Sequence, residues 1–237
     1  MATLAELALS LNLRARWHAC VPPMILMTDA ARMPEPEPMV AALPAGSAVI
    51  LRHYEIGDRE PLARALLRLC RARGVKLLIA ADVRLARAVG ADGIHLPEAL
   101  VRCDPTQARA RRGPGWIVTA AAHGPRALRR AWRARADAAL VAPVYATVSH
   151  PERPALGPLR FAALCRASPI PVYALGGITA ESAKRLAHSG AAGIAAIGAF
   201  QDQKKNDRSA NRRPRVTACA SCKSEHEKTT AHPVSGM

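Results

Sequence analysis

Short apolar runs alternate along this chain with segments of helical periodicity. The runs are largely apolar over four to six residues, as strands buried on both faces of a parallel sheet require. Of the segments between them, residues 58–73 carry the clearest apolar stripe and end at Gly74. The predicted strands are 24–28, 48–51, 76–80, 93–96, 116–120, 138–141, 172–175 and 193–197. The predicted helices between them are 38–43, 58–73, 83–89, 106–111, 125–134, 158–166 and 179–188.

This regular alternation predicts the α/β class. The sequence VGADGI at 89–94 is echoed by SGAAGI at 189–194, as repeated helix–strand units would produce. Eight such units are expected to close into a (β/α)8 TIM barrel, and an open doubly wound sheet is the main alternative. We therefore predict a barrel that lacks a regular eighth helix, since no amphipathic segment follows the last strand.

The net charge of +16 invites a nucleic-acid partner, but its distribution argues against one. The arginines lie mostly on predicted helix faces, and aromatic residues that could stack on bases make up only 3% of the chain. No apolar run reaches the roughly 20 residues that a membrane span needs. Residues 1–13 carry Glu6 and no early basic cluster, so they make a poor signal peptide. We expect a cytoplasmic protein without nucleic-acid or membrane partners, and a homo-oligomer remains open.

Two neighbouring predicted strands end in glycine. Gly176 and Gly177 follow the seventh strand, and Gly198 follows the eighth. In a (β/α)8 barrel, phosphate groups usually bind at the loops after these two strands, where backbone amides converge on an anion. The simpler alternative is that the glycines only permit tight turns. The pattern therefore favours a phosphorylated small molecule as ligand.

Four segments resemble the thiamine phosphate synthase/TENI family in order and spacing over residues 22–200. They are GADGIHL at 90–96, APVYATVSHPERPALG at 142–157, YALGGIT at 173–179 and GAAGIAAIGAF at 190–200. The resemblance implies a barrel that binds a thiazole phosphate in thiamine biosynthesis. Synthases of the family join this thiazole to hydroxymethylpyrimidine pyrophosphate and use Mg²⁺. The TENI branch includes thiazole tautomerases, which move a proton and need no metal.

The resemblance places the thiazole phosphate on residues after the sixth, seventh and eighth strands. The positions that match the family's phosphate site are Gly176, Gly177, Ile197 and Gly198, together with Thr147, Ser149 and His150 in the loop after the sixth strand. Synthases have a lysine where this chain has His150. Hydroxyl groups donate to anions, and a histidine does so when protonated. The alternative for Thr147 and Ser149 is that they are ordinary loop residues.

The pyrophosphate and metal positions of the synthases are largely absent. Of the run after the second strand, only Arg52 remains, and a guanidinium binds phosphate bidentately. Alanines stand where the family has its Asn-Asp pair and a serine, at positions 80, 81 and 121. Asp82 and Glu98 are the nearest carboxylates to the two metal positions. No metal ligand is therefore assigned, no cofactor is expected with certainty, and Mg²⁺ is expected only if the protein is a synthase.

His123 is the candidate catalytic residue. The resemblance aligns it with the histidine that the tautomerases use for proton transfer, and an imidazole titrates in the right range for that task. A structural role is the alternative. His95, at the end of the fourth strand, is the second candidate. Tautomerase-like proton transfer is the favoured function, and the alternatives are an active synthase that uses Asp82 and Glu98, and a non-catalytic phosphate-binding or regulatory protein.

The sequence divides into an N-terminal extension or helix (1–21), the barrel (22–200) and a basic tail (201–237). The tail is polar and without helical period, which predicts disorder. It contains Cys219, Cys222, His226 and His232 in a zinc-knuckle-like order, but no core residues flank them, so zinc binding stays open. The missing eighth helix leaves a flank of the barrel that a partner or residues 2–13 would have to cover, unless the tail is an aberrant extension.

Overall fold

A computed structural model describes residues 2–16, 21–103, 115–147 and 153–197 of the chain. Its centre is a closed barrel of eight parallel strands in which each strand pairs with its neighbours in sequence and the eighth pairs with the first. The strands are β1 Met24–Met27, β2 Ala48–Leu51, β3 Lys76–Ala80, β4 Gly93–Leu96, β5 Ile117–Ala122, β6 Ala138–Val141, β7 Val172–Ala174 and β8 Gly193–Ala196. The predicted fold class is confirmed.

Helices follow the strands around the outside of the barrel. The described ones are α1 Leu4–Arg14, α2 Glu37–Ala41, α3 Glu60–Arg73, α4 Val83–Val89, α5 Glu98–Cys103, α6 Pro125–Arg133, α7 Gly157–Ala167 and α8 Ala180–Lys184. The last of these is shorter than the predicted helix 179–188. Thr179 caps its start, as expected, but beyond Lys184 the backbone closes three-residue turns, such as Leu186 N–H to Ala183 O at 3.0 Å, instead of α-helical ones.

Apolar side chains fill two layers. One lies inside the barrel, where alternate strand residues such as Ile25, Ile50 and Leu140 meet around Tyr173. The other lies between the strands and the helices and includes Leu66 and Phe161, both fully buried. Most strand residues are buried, which explains why the strands appear in the sequence as short apolar runs rather than as alternating patterns.

Helix α1 lies over the flank where an eighth barrel helix would pack. It contacts α8, β8 and β1, and its buried side chains include Leu4, Leu11 and Asn12. The Asn12 side-chain amide donates to the Ala192 carbonyl at 2.7 Å and, more weakly, to the Val21 carbonyl at 3.4 Å. The residues before the first strand therefore cover the junction between β8 and β1.

Several expectations fall on residues that the structure does not describe. These are the helix at 106–111, the tail at 201–237 with its possible zinc ligands, and the candidate site residues Ser149, His150 and Gly198. Cys70 and Cys165 are buried free thiols, and burial raises the pKa of each to about 12. Among the helices of the described ranges, none combines the length and the apolar character that crossing a membrane demands.

Candidate functional site

A cavity of about 830 Å³ opens at the carboxyl ends of the strands. Its wall is built by residues that follow β1, β2, β4, β5, β6, β7 and β8. The charged residues and histidines among them are Asp29, Arg32, Arg52, His95, Glu98, His123 and Arg153. Three arginines against two carboxylates leave the lining positive, so the cavity is suited to an anionic ligand.

The Gly176-Gly177 turn forms one part of this wall. Both residues have left-handed backbone conformations, with φ of 88° and 66°. A Cβ on Gly176 would lie 2.9 Å from Pro143 Cα, and one on Gly177 would overlap the Ala146 carbonyl oxygen. The loop after β6 packs against the turn, with the Val144 amide donating to Leu175 O at 2.9 Å and the Tyr145 amide to Gly176 O at 3.1 Å. Glycine is therefore required here for both conformation and space.

Three backbone amides in the cavity wall have no acceptor among the residues that the structure describes. Across the described ranges, the amides of Gly176, Gly177 and Ile197 donate to no protein group, although all three residues line the cavity and are half-buried. Half-buried N–H groups of this kind are normally satisfied by water or by a ligand. Thr147 lines the same part of the wall. The structure thus brings four of the seven predicted phosphate residues to one cavity, and the other three lie outside the described residues.

Arg52 lies in a different sector of the rim, after β2. Its guanidinium is 3.7 Å from the Asp29 carboxylate and stacks over Tyr54 at 5.9 Å from the ring centroid. Its backbone amide donates to the Thr28 hydroxyl at 3.0 Å, and that hydroxyl is 2.8 Å from Nδ1 of the buried His53. These contacts fix the chain on which the guanidinium is carried. The backbone of Arg52 is therefore held in place at the cavity wall.

The Asp82 carboxylate already accepts hydrogen bonds from other protein groups, and the residue is not part of the cavity wall. One of its oxygens accepts the Leu85 amide at 2.9 Å and caps α4, and the other accepts Arg59 Nη2 at 3.2 Å. Arg59 also donates to the carbonyls of Arg52 and Ala80, each at 3.1 Å. A guanidinium thus lies at the ends of β2 and β3, where the synthase resemblance would place a carboxylate for the metal.

The described residues do not fit a Mg²⁺ site. Glu98 lines the cavity, but its Oε1 accepts Arg130 Nη2 at 2.9 Å and its Oε2 faces His123. No three His, Cys, Asp or Glu side chains within the described ranges cluster in a way that could hold a metal ion. Mg²⁺ prefers several oxygen ligands in octahedral geometry. The synthase alternative required both Asp82 and Glu98 in the cavity, but only Glu98 lies there, and it already contacts Arg130 and His123.

His123 lies at the cavity mouth, and both of its ring nitrogens are close to polar groups of the protein. Nδ1 is 2.6 Å from the Ala142 carbonyl, so we assign the proton of the neutral ring to Nδ1. Nε2 then carries the lone pair, 3.2 Å from Arg153 Nη1 and 3.5 Å from Glu98 Oε2. Arg153 donates to this lone pair, and a proton taken up at Nε2 once that contact opens would lie against Glu98. This geometry suits a general base.

His95 is 3% exposed, lines the cavity and pairs with Thr119 across the β4–β5 register. Its Nδ1 is 2.9 Å from the Thr119 hydroxyl. Because that hydroxyl has no other acceptor among the described groups, we assign it as the donor, which leaves the ring proton on Nε2. Burial, and secondarily the charge of Arg52, lowers the pKa of His95 to about 3. His95 is therefore a neutral N–H donor at the floor of the cavity.

Sequence reasoning did not single out Asp29, Arg32 or Arg153 as site residues. Asp29 directly follows the first strand, a position that barrels use at the active face, so the sequence did contain a signal for it. Arg153 comes from a long loop, and no pattern in the sequence marks it as a neighbour of His123.

Comparison with known proteins identifies the family. The family model TMP-TENI, thiamine monophosphate synthase, matches residues 25–200. A putative thiamine-phosphate synthase 2 from Aquifex aeolicus is 38% identical over 154 residues, which are 64% of this chain and 81% of that protein. A thiamine-phosphate synthase from Geobacillus kaustophilus is 40% identical over 146 residues, and the match spans 60% of this chain and 64% of that protein.

A solved structure of thiamine phosphate pyrophosphorylase from Pyrococcus furiosus has the same fold. Its TM-score is 0.60 at 22% identity, and the match covers 79% of this chain and 96% of the other. The names of the relatives favour coupling over the tautomerase activity that the sequence suggested. The match over most of the barrel shows that the chain belongs to the thiamine monophosphate synthase (TMP-TENI) family.

Proposed function

We propose that this protein is an enzyme of thiamine biosynthesis that joins a thiazole phosphate to hydroxymethylpyrimidine pyrophosphate. One observation carries the proposal: a single cavity has two sectors suited to anions. The glycine turn after β7 lies in one sector, and the arginines that follow β1 and β2 lie in the other. A volume of about 830 Å³ is at the upper end of the range for small-molecule sites, so it accommodates two substrates.

The glycine sector holds the thiazole phosphate in this proposal. The amides of Gly176, Gly177 and Ile197 and the hydroxyl of Thr147 donate to the phosphate oxygens, as backbone nests do for anions. Because the turn is fixed by hydrogen bonds to the loop after β6, these donors need no rearrangement when the ligand binds. The phosphate would therefore orient the thiazole ring towards the centre of the barrel mouth.

The reaction forms one bond and breaks one. The thiazole nitrogen uses its lone pair to form a C–N bond to the methylene carbon of the pyrimidine. The C–O bond to pyrophosphate breaks, and its electron pair leaves with the pyrophosphate. In this proposal Arg52 and Arg32, which both line the cavity, stabilise the negative charge that develops on the leaving group. Preorganised donors of this kind lower the barrier because they stabilise the transition state more than the ground state.

Formation of thiamine phosphate tests the proposal. Purified protein is mixed with both substrates, and the product is followed by its fluorescence after oxidation, with chromatography to confirm its identity. An enzyme-like rate that is proportional to protein concentration supports the proposal. Absence of product from protein that binds both substrates overturns it.

A second candidate is thiazole tautomerisation. It is favoured by the Nε2 lone pair of His123, which lies 3.5 Å from Glu98 at the cavity mouth and could move a proton on the thiazole. Conversion of the thiazole tautomer without the pyrimidine substrate would distinguish this function from coupling.

A further inference from the structure

We propose that this cavity binds the diphosphate group of its second substrate through guanidinium groups and without a divalent cation. The proposal rests on the proposed function for the identity of that substrate. It concerns Arg32 after β1 and Arg52 after β2, which line the cavity, and Arg59 before α3, which lies behind the cavity wall.

A guanidinium group that is paired with a carboxylate lies where a metal would be needed. The Arg59 side chain is only 12% exposed and is held by the carbonyls of Arg52 and Ala80 and by the Asp82 carboxylate. Three fixed acceptors leave this guanidinium little freedom to move. Because Asp82 pairs with this guanidinium, the two side chains together are neutral and offer a divalent cation at the ends of β2 and β3 no net attraction.

The two carboxylates near this position already accept hydrogen bonds. Asp82 uses one oxygen for the Leu85 amide and the other for Arg59. Asp29 accepts the Arg32 amide at 3.2 Å through Oδ1, and its Oδ2 is the nearer oxygen to Arg52. Recruiting Asp82 to a cation would break a helix cap and an ion pair, and Asp29 alone does not supply the several oxygens that a Mg²⁺ site needs at once.

The guanidinium groups of Arg52 and Arg59 lie close to each other on the same aromatic ring. Tyr54 lines the cavity, and the guanidinium groups of Arg52 and Arg59 both lie over its ring, at 5.9 and 5.6 Å from the centroid. The 3.7 Å separation between Arg52 and Asp29 is too long for a hydrogen bond, so Arg52 can turn its donors to an incoming phosphate. A planar guanidinium binds phosphate oxygens bidentately.

Calorimetric titration with inorganic pyrophosphate tests this proposal independently of catalysis. The wild-type protein is titrated in excess EDTA and then in excess Mg²⁺, alongside Arg52→Met, Arg52→Lys and the control Arg126→Met, which removes an exposed arginine from α6. We expect binding in EDTA, little gain from Mg²⁺, and a loss of about tenfold or more in affinity for Arg52→Met. The pyrophosphate affinity of Arg52→Lys should lie between those of wild type and Arg52→Met, because lysine keeps the positive charge but cannot bind phosphate bidentately.

Two results would overturn the proposal. One is pyrophosphate binding that requires Mg²⁺, and the other is an Arg52→Met variant that binds as well as Arg126→Met. Circular dichroism of each variant establishes that it is folded. Thiazole phosphate titrated into the same samples keeps the two claims apart. Thiazole phosphate binding with metal-dependent pyrophosphate binding defeats this inference alone, whereas metal-free pyrophosphate binding without any coupling product supports it and defeats the proposed function.

Discussion

Glu98 and His123 face each other at the cavity mouth, with 3.5 Å between Oε2 and Nε2. The other nitrogen of the ring is held by the Ala142 carbonyl, so the orientation of the imidazole is fixed. In coupling, the attacking nitrogen of the thiazole carries a lone pair and gives up no proton, so His123 has no proton to remove from it. Tautomerisation, in contrast, would need a group such as His123 to move a proton. This pair of residues therefore separates the two candidate functions.

Replacing His123 with Asn should leave coupling within about tenfold of wild type but reduce proton transfer on the thiazole by about 10²–10⁴-fold, the usual contribution of a general base. Coupling is measured by thiamine phosphate formation, and proton transfer by NMR as deuterium exchange of the thiazole phosphate in D₂O. His188→Asn is the control, because His188 is exposed and does not line the cavity. A coupling rate that falls as far as the exchange rate would contradict the proposed role of the arginines as the main catalytic groups.

Gly177→Ala should weaken phosphate binding at the glycine turn without removing any side-chain donor. The new Cβ would lie 2.8 Å from Tyr145 Cβ and overlap the Ala146 carbonyl, so the turn and the loop after β6 must separate. We expect thiazole phosphate affinity, measured by calorimetry, to fall by about tenfold or more because the converging amides are displaced. The matched control is Gly46→Ala, which has the same left-handed strain at φ 80° but no atom within 4 Å of the new Cβ. That control should lose about 1 kcal/mol of stability and no affinity.

His95 should make the protein less stable in acid. Its pKa is lowered to about 3 in the folded protein, whereas the unfolded chain has the ordinary value of 6.5. Between these values the unfolded state binds one more proton, so the free energy of unfolding falls by up to about 1.4 kcal/mol for each pH unit of acidification below 6. This loss is absent above about pH 7, where neither state is protonated.

Urea unfolding at pH 6 and pH 4.5 measures this effect. His95→Gln should show a shallower decline than wild type over that interval, because carboxylates contribute equally to both proteins. Ser47→Ala changes a buried hydroxyl that has no partner within the described ranges and should keep the wild-type decline. Equal slopes for wild type and His95→Gln would show that His95 is not buried in its neutral form.

Asn12 should contribute to stability through the flank that α1 covers. Asn12→Ala removes the donor to Ala192 O and leaves that buried carbonyl unsatisfied, which costs about 1–3 kcal/mol. Chemical denaturation measures the loss, and Arg14→Ala, at an exposed position near the end of the same helix, is the control. Equal stability of the two variants would mean that α1 is not anchored at the β8–β1 junction.

The barrel was predictable because its strands are buried on both faces. Runs such as those at 48–51 and 138–141 have the same bounds in the sequence prediction and in the structure. The position of the Gly176-Gly177 turn in the cavity wall was also predictable, because residues that follow the strands of a barrel lie at its active face. These features depend on local sequence, which a single chain displays directly.

The partners of the charged residues were not predictable. Asp82 precedes a helix and could be read as its cap, but its ion pair with Arg59 joins residues 23 positions apart. Glu98 was considered as a metal ligand, whereas Arg130 and His123, from elements further along the chain, determine its environment. The contact of His95 with Thr119 follows from the β4–β5 register, which the sequence does not specify.

The most direct test of the two-sector account is the steady-state kinetics of coupling in two variants. Gly177→Ala should raise the KM for thiazole phosphate with little change in the KM for the pyrimidine pyrophosphate, and Arg52→Met should do the reverse, by about tenfold each. This crossed result would place the two substrates in the two sectors of one cavity. If both variants raised the same KM, or if wild-type protein formed no thiamine phosphate, the account would be contradicted.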